Sequence, residues 1–170
     1  MDRKLNEIQK RIYDNCGFEI TGFTVELESK EYAACRFDLN GQHILSRNAK
    51  VTPKKIGQFV TFWKRNDNRL IAPFDQTDTI DFYVVNVQIQ NRFGQFVFPK
   101  SVLTAKGIIS TENKEGKRAF RVYPCWDIPT SKQAKRTQEW QLDYFYELNP
   151  KTNITEIINL YKAVQSTKVR

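Results

Sequence analysis

Histidine occurs once in this chain, at His43, and cysteine three times, at Cys16, Cys35 and Cys125, with no CxxC pair among them. A structural zinc site needs four clustered thiolate or imidazole ligands, so none is expected. A Ser-His-Asp or Cys-His relay would have to use His43, which falls on an expected strand beside a turn. Neither G-x-x-x-x-G-K-S/T nor G-x-G-x-x-G is present, which removes the P-loop and dinucleotide readings. No run of 18 apolar residues occurs, so neither a transmembrane helix nor a membrane partner is expected. The N-terminus, Met1-Asp2-Arg3-Lys4-Leu5, lacks an apolar leader, and the expected location is the cytoplasm. Three widely spaced cysteines fit reduced, structural thiols.

Aromatic residues are plentiful. The chain has 170 residues, 40% of them hydrophobic, and 12 Phe, 7 Tyr and 3 Trp make up 13% of it. That is enough apolar surface for a substantial core, and the length fits one domain spanning 1–170.

Leu5, Ile8 and Ile12 fall at helical spacing, which predicts a helix over 2–16 closed by Gly17. A strand is expected at 20–28, then a hairpin of 32–39 and 42–50 about Asn40-Gly41. Thr52-Pro53 reads as an N-cap and first helical position, opening a short helical turn. A second hairpin follows, 58–65 and 69–74. The strand over 80–90 is apolar on both faces at its start and so is expected to be central. It turns at 91–94 into a strand over 94–99. A short helix at 101–106 and a strand at 117–123 come next. Thr130-Ser131-Lys132-Gln133 reads as a capping box for a helix reaching about 148. Asn153 opens a last helix with the stripe Ile154, Ile157, Ile158, Tyr161 and Val164. These elements predict an α/β fold, bordering on α+β, with a mixed sheet flanked by helices.

The net charge of +8 is unevenly placed. Residues 47–65 hold six cations and no carboxylate: Arg47, Lys50, Lys54, Lys55, Lys64 and Arg65. Residues 100–136 hold nine cations against three carboxylates, and the rest of the chain is slightly acidic. Such clustering makes a directional field. Lys54, Lys55 and Lys132 stand in expected first helical turns, where a cation opposes the helix dipole by about 0.3–1 kcal/mol unless an anion is bound there. Aromatics are interleaved with the cations at Trp63, Tyr123, Trp126 and Trp140, as in proteins that track a nucleic-acid backbone and stack its bases. The alternative for Trp63, Tyr123 and Trp140 is a place in the core, whereas Trp126 stands in a loop between Pro124 and Pro129, where a large ring is expected to belong to a site.

Along the expected strand, Arg121 shares a face with Lys117 and Tyr123, which makes a phosphate-and-base clamp. Arg118 lies on the other face and can serve either a phosphate or an ion pair. Lys135 and Arg136 extend the basic run. Metal-dependent phosphodiester cleavage needs carboxylates near adjacent strand ends with a lysine close by. Asp78, Asp81 and Lys100 occupy such places, but Phe98 stands where a second carboxylate is wanted. Glu26 or Glu28 would have to supply it.

Three long segments carry a family resemblance: 47–61 (RNAKVTPKKIGQFVT), 93–100 (FGQFVFPK) and 116–127 (GKRAFRVYPCWD), joined by 131–141 with Thr137-Gln138-Glu139-Trp140-Gln141. Together they resemble the MepB family over nearly the whole chain. The resemblance implies a bacterial, cytosolic protein, of a kind sometimes encoded beside a multidrug efflux transporter and its MarR-type repressor. It also implies an architecture similar to endonucleases of the PD-(D/E)xK type, from which this chain departs at Phe98. The resulting expectation is a protein that binds DNA or RNA through a cationic, ring-lined groove, with a degenerate metal site and no cofactor. The alternatives are a Mg²⁺-dependent nuclease using Asp78, Asp81 and Lys100, and a binding protein for a small ligand such as a nucleotide or drug.

Overall fold

The computed structural model describes residues 1–162. The chain begins with α1 (Arg3–Ile8), a π-helical stretch (Gln9–Tyr13) and α2 (Asp14–Cys16), which follow one another without a break. Asp2 caps this helix by accepting from the amides of Lys4 and Leu5, and Gly17 ends it in the left-handed conformation. The strands β1 (Ile20–Val25), β2 (Cys35–Leu39), β3 (Gln42–Asn48), β4 (Lys50–Val51), β5 (Gln58–Thr61), β6 (Trp63–Arg65), β7 (Ile71–Pro73), β8 (Phe82–Ile89) and β9 (Arg92–Pro99) come next. Then follow α3 (Lys100–Ala105), β10 (Ala119–Val122), α4 (Lys132–Leu142), β11 (Phe145–Glu147) and α5 (Ile154–Leu160).

Six strands form a mixed sheet in the order β1-β2-β3-β8-β9-β11, with β3 and β8 its parallel pair. The β2–β3 turn sits at Asn40-Gly41, both at positive φ as the tight hairpin turn requires. Strand β8 lies between β3 and β9, and six of its eight residues are buried. Its side chains alternate between two cores, as a strand covered on both faces must. Phe82 and Val84 meet the N-terminal helix and Ile157 and Tyr161 from the α5 end. Tyr83, Val85 and Val87 face Val60, Phe62, Phe74, Leu103 and Phe120 on the other side. That second core lies under the three-stranded sheet β10-β5-β4 and α3.

Gln95 joins the helical side of the sheet to its strands through a buried polar cluster. Its Oε1 accepts from Tyr146 and Tyr161 at 2.7 and 2.9 Å. Its Nε2 donates to Asn86 at 2.9 Å and to the Tyr13 hydroxyl at 3.3 Å. Buried polar groups are costly unless paired, and here each hydroxyl finds a partner.

Several expectations are corrected. Residues 52–57 form turns and bends, not a helix. Lys54 and Gly57 take positive φ, and the carbonyls of Ile56 and Gly57 point at the Arg121 guanidinium instead of along a helix axis. The expected strand 58–65 divides at buried Phe62: β5 joins β4 and β10, while β6 pairs only with β7. The β8–β9 turn is at Gln90 and Asn91, two residues earlier than expected. Helix α4 is capped by Ser131, not Thr130, so its N3 residue is Ala134 and no reciprocal capping box forms. It also stops at Leu142, because the edge of β9 captures residues 145–147 as β11. Val164 of the expected last stripe lies outside the described residues.

Candidate functional site

The cations of the two basic stretches divide between two places. Arg47, Trp63, Lys64 and Arg65 line one cavity of about 370 Å³ together with Glu26, Glu28, Arg36, Asp67 and Asp78. Its charges are largely cancelled within it. Lys64 pairs with Asp78 at 2.7 Å, Arg65 with Glu28 at 3.5 Å, and Arg36 with Glu26. Arg47 is 1% exposed, donates to Ser29 Oγ and to the carbonyls of Thr61 and Trp63, and has its pKa pushed down to about 10 by burial. It ties β3 to the β5–β6 junction, and its burial leaves no room to meet a phosphate at the surface. Trp63 carries Arg65 over its face at 5.6 Å. Lys50, outside this cavity, lies over Tyr32 at 4.6 Å.

A different set gathers on the far side of β10. One cavity, of about 290 Å³, is lined by Lys106, Lys117, Arg121, Tyr123 and Trp140 with polar residues of α4. The adjoining cavity, of about 370 Å³, is lined by Lys54, Lys55, Ile56, Arg121, Tyr123, Pro129 and Thr130. Arg121, Tyr123, Ser131 and Ala134 line both, and among the described residues no carboxylate lines either. Five cations from both basic stretches thus share a surface with the rings of Phe120, Tyr123 and Trp140. The N-terminus of α4 opens at the common wall, since Ser131 is its cap. Unpaired helix amides and the dipole add to the positive potential there.

The alternation expected for this strand is present. Val122 is fully buried and Phe120 nearly so, at the floor of the cavity, while Lys117, Ala119, Arg121 and Tyr123 line its wall. Arg121 is only partly available to a ligand, because its guanidinium donates to Ile56 O, Gly57 O and Thr52 Oγ1. It holds the turn that displays Lys54 and Lys55. Arg118 is exposed and paired with Glu115 at 2.8 Å. Lys132, Lys135 and Arg136 are exposed on α4 but line neither cavity, because Gln133, Ala134, Thr137 and Trp140 take the inward face of that helix.

Trp126 is turned inward. Its ring packs edge-on against Phe145 at 5.9 Å and lies under Arg92 at 5.1 Å. Arg92 in turn forms a two-bond pair with Glu147. The sequence reading of Trp126 as a site ring therefore gives way to an anchoring role.

Sequence reasoning passed over Lys106, whose Nζ lies over Trp140 at 5.4 Å. It also passed over Gln138 and Gln141. Gln138 donates to the carbonyls of Pro124 and Asp127, at 3.0 and 2.8 Å. Gln141 bonds the backbone of Arg121 and Tyr123. Only their i, i+3 spacing on one helix face was available as a signal.

The nuclease candidates are neighbours, since Lys100 donates its amide to the Asp81 carbonyl and its ammonium to that of Asp78, but their side chains are engaged with other groups. Asp78 accepts from Lys64 and from the Asp75 amide. Asp81 accepts from the His43 amide at 2.8 Å. Lys100 donates to the carbonyls of Gln76 and Asp78. Phe98 is fully buried among Phe96, Phe120, Trp140 and Tyr144, so its position belongs to the core. Among the described residues, no three His, Cys, Asp or Glu side chains are grouped to hold a metal ion. No described helix is long and apolar enough to cross a membrane.

No curated protein matches the chain. A crystal structure of MepB is 33% identical, with a TM-score of 0.77, covering 89% of this chain and 100% of its own. The structure of the bacterial homing endonuclease I-Ssp6803I is 16% identical with a TM-score of 0.42, covering 82% of this chain and 89% of its own, too distant to carry residues across. The MepB-like family model matches residues 26–147. With the fold, the chain-long segments and this match in agreement, the chain belongs to the MepB-like family.

Proposed function

We propose that this protein binds nucleic acid, and that the two adjoining cavities act as one cationic groove for its backbone. The observation that carries the reading is the convergence of Lys54, Lys55, Lys106, Lys117 and Arg121, from separate stretches of chain, on a surface lined by no carboxylate. Cations so placed and left without anionic partners favour a polyanion, because each neutralised phosphate releases condensed counterions. Tyr123, at the wall common to both cavities, is the ring placed to meet a base. Arg118, Lys132, Lys135 and Arg136 would contribute long-range attraction more than contacts, and Lys50, Lys64 and Trp63 stand apart from the groove.

A Mg²⁺-dependent nuclease keeps one observation in its favour, that Glu26, Glu28, Asp78 and Lys64 line a single cavity. All three carboxylates are already paired with cations there, and Asp81 and Lys100 are engaged elsewhere. Binding without cleavage is the better-supported reading.

The test is fluorescence anisotropy with labelled single-stranded and duplex DNA and RNA at low and moderate salt, first with chelator and then with Mg²⁺. About five phosphate contacts give a slope of log K against log salt near −4.5 on duplex DNA. A flat salt response overturns the reading. Cleavage on adding Mg²⁺ that is lost in Asp78→Asn would install the nuclease. A mononucleotide that competes as well as an oligonucleotide would reduce the groove to a small-ligand pocket.

A further inference from the structure

The segment 124–129 inverts what its composition suggests. Its large ring, Trp126, is folded inward, and its isoleucine, Ile128, is 82% exposed, the most exposed large apolar side chain among the described residues. A flexible loop would turn such a side chain against the protein. This loop is held: Gln138 donates to the carbonyls of Pro124 and Asp127, and the Asp127 amide donates to Pro124 O at 3.0 Å. The Gly57 amide lies near the Asp127 carboxylate, which sets the loop beside the turn bearing Lys54 and Lys55. Pro129, next in sequence to Ile128, lines the same cavity as those lysines and Ile56. Held at Pro124 and Asp127, the loop presents the next side chain, Ile128, beside a track of positive charge.

That juxtaposition is the one used to open a base step. Cations fix the backbone while an aliphatic side chain enters the stack beside it, and the unstacking it costs is least where stacking is already weak. We propose that Ile128 is a wedge that enters a base step of duplex nucleic acid whose backbone lies on Lys54 and Lys55. The preferred substrate is then a duplex with a weakened step, such as a mismatch or a bulge. The inference rests on the nucleic-acid reading above and adds to it the substrate class and the residue that selects it.

The experiment compares a perfect short duplex with the same duplex carrying one central mismatch, by anisotropy, for the wild type, Ile128→Ala and Ile128→Leu. The wild type is expected to favour the mismatched duplex about tenfold. Ile128→Ala should lose that preference while keeping the salt slope and the thermal midpoint, since the side chain makes little contact in the free protein. Ile128→Leu should restore the preference. A 2-aminopurine placed beside the mismatch should brighten with wild type and not with Ile128→Ala. If the wild type binds both duplexes equally, or if Ile128→Ala keeps the preference, the wedge is wrong and the groove stands. If the wild type binds neither duplex nor single strand, both fall.

Discussion

Gln141, fully buried on α4, donates its side-chain amide to the carbonyl of Arg121 at 2.9 Å. Its Oε1 accepts from the next but one amide along β10, that of Tyr123, at 2.8 Å. The side chain pairs with β10 as a neighbouring strand would, and it closes the edge that β5 leaves open. It also sets the height of Arg121 and Tyr123 in the wall common to the two cavities. A helix thereby fixes the two residues on which the proposed groove turns.

Gln141→Leu keeps the volume and removes both bonds, leaving a buried donor and acceptor unpaired. The expected loss of stability is about 1–3 kcal/mol. Urea unfolding at neutral pH measures it. A loss below a few tenths of a kcal/mol would mean that water or another group takes over.

Gly57 sits at φ +86°, and a methyl group there would lie 2.7 Å from the Tyr123 ring. Gly57→Ala should therefore cost about 1–3 kcal/mol through strain and the displaced ring. Arg121→Lys should weaken the same turn, because an ammonium cannot fork to Ile56 O, Gly57 O and Thr52 together. Faster amide exchange over 54–57 in Arg121→Lys, with the rest of β10 unchanged, is the expected signature.

Removing cations separates lining residues from bystanders. Lys54→Ala and Lys117→Ala should each reduce the salt slope on duplex DNA by about 0.9. Lys135→Ala should leave it unchanged, since Lys135 lines neither cavity. Equal losses for all three would point to a diffuse field and away from a groove.

Alkaline pH should unfold the protein earlier than its size suggests. Burial pushes the Cys35 thiol from 9.0 up to about 12. Burial likewise raises Tyr13, Tyr146 and Tyr161 above their usual 10.0. These groups stay protonated in the folded state after the unfolded chain has lost its protons. Their stabilising contribution is complete below pH 9 and is lost as pH climbs through 9 and 10 toward the folded values. Thermal midpoints between pH 7 and pH 11 should show the decline. In Tyr161→Phe the stability at pH 7 should be lower by about 1 kcal/mol of lost hydrogen bonding, and the midpoint should then decline less steeply with pH. A flat profile to pH 11 would contradict the assignment.

Much of the scaffold was legible in the order of residues. Asn40-Gly41 specified its hairpin, the two-faced apolar run at 82–87 specified a central strand, and the alternation of Lys117, Arg121 and Tyr123 specified which side chains share a face. Local rules failed where a distant group outbid them. Thr52-Pro53 has the form of a helix start, but Arg121, far along the chain, claims the carbonyls of Ile56 and Gly57. Trp126 has the form of a site ring, but Phe145 and Arg92 hold it half-buried against the protein's own surface. Lys64 and Lys54 look alike in a basic stretch, and only Lys64 meets a carboxylate.

By itself, the sequence determined the mixed sheet and the surplus of positive charge in two stretches, because periodicity, turn chemistry and composition act over a few residues, and its long segments carried the family resemblance. Which cations remain unpaired was decided by the tertiary structure alone. Coulombic pairing depends on distance in space, and the folding of 47–65 sends Lys64 and Arg65 toward Asp78 and Glu28 while leaving Lys54 and Lys55 beside Arg121, in a cavity that no carboxylate of the described residues lines.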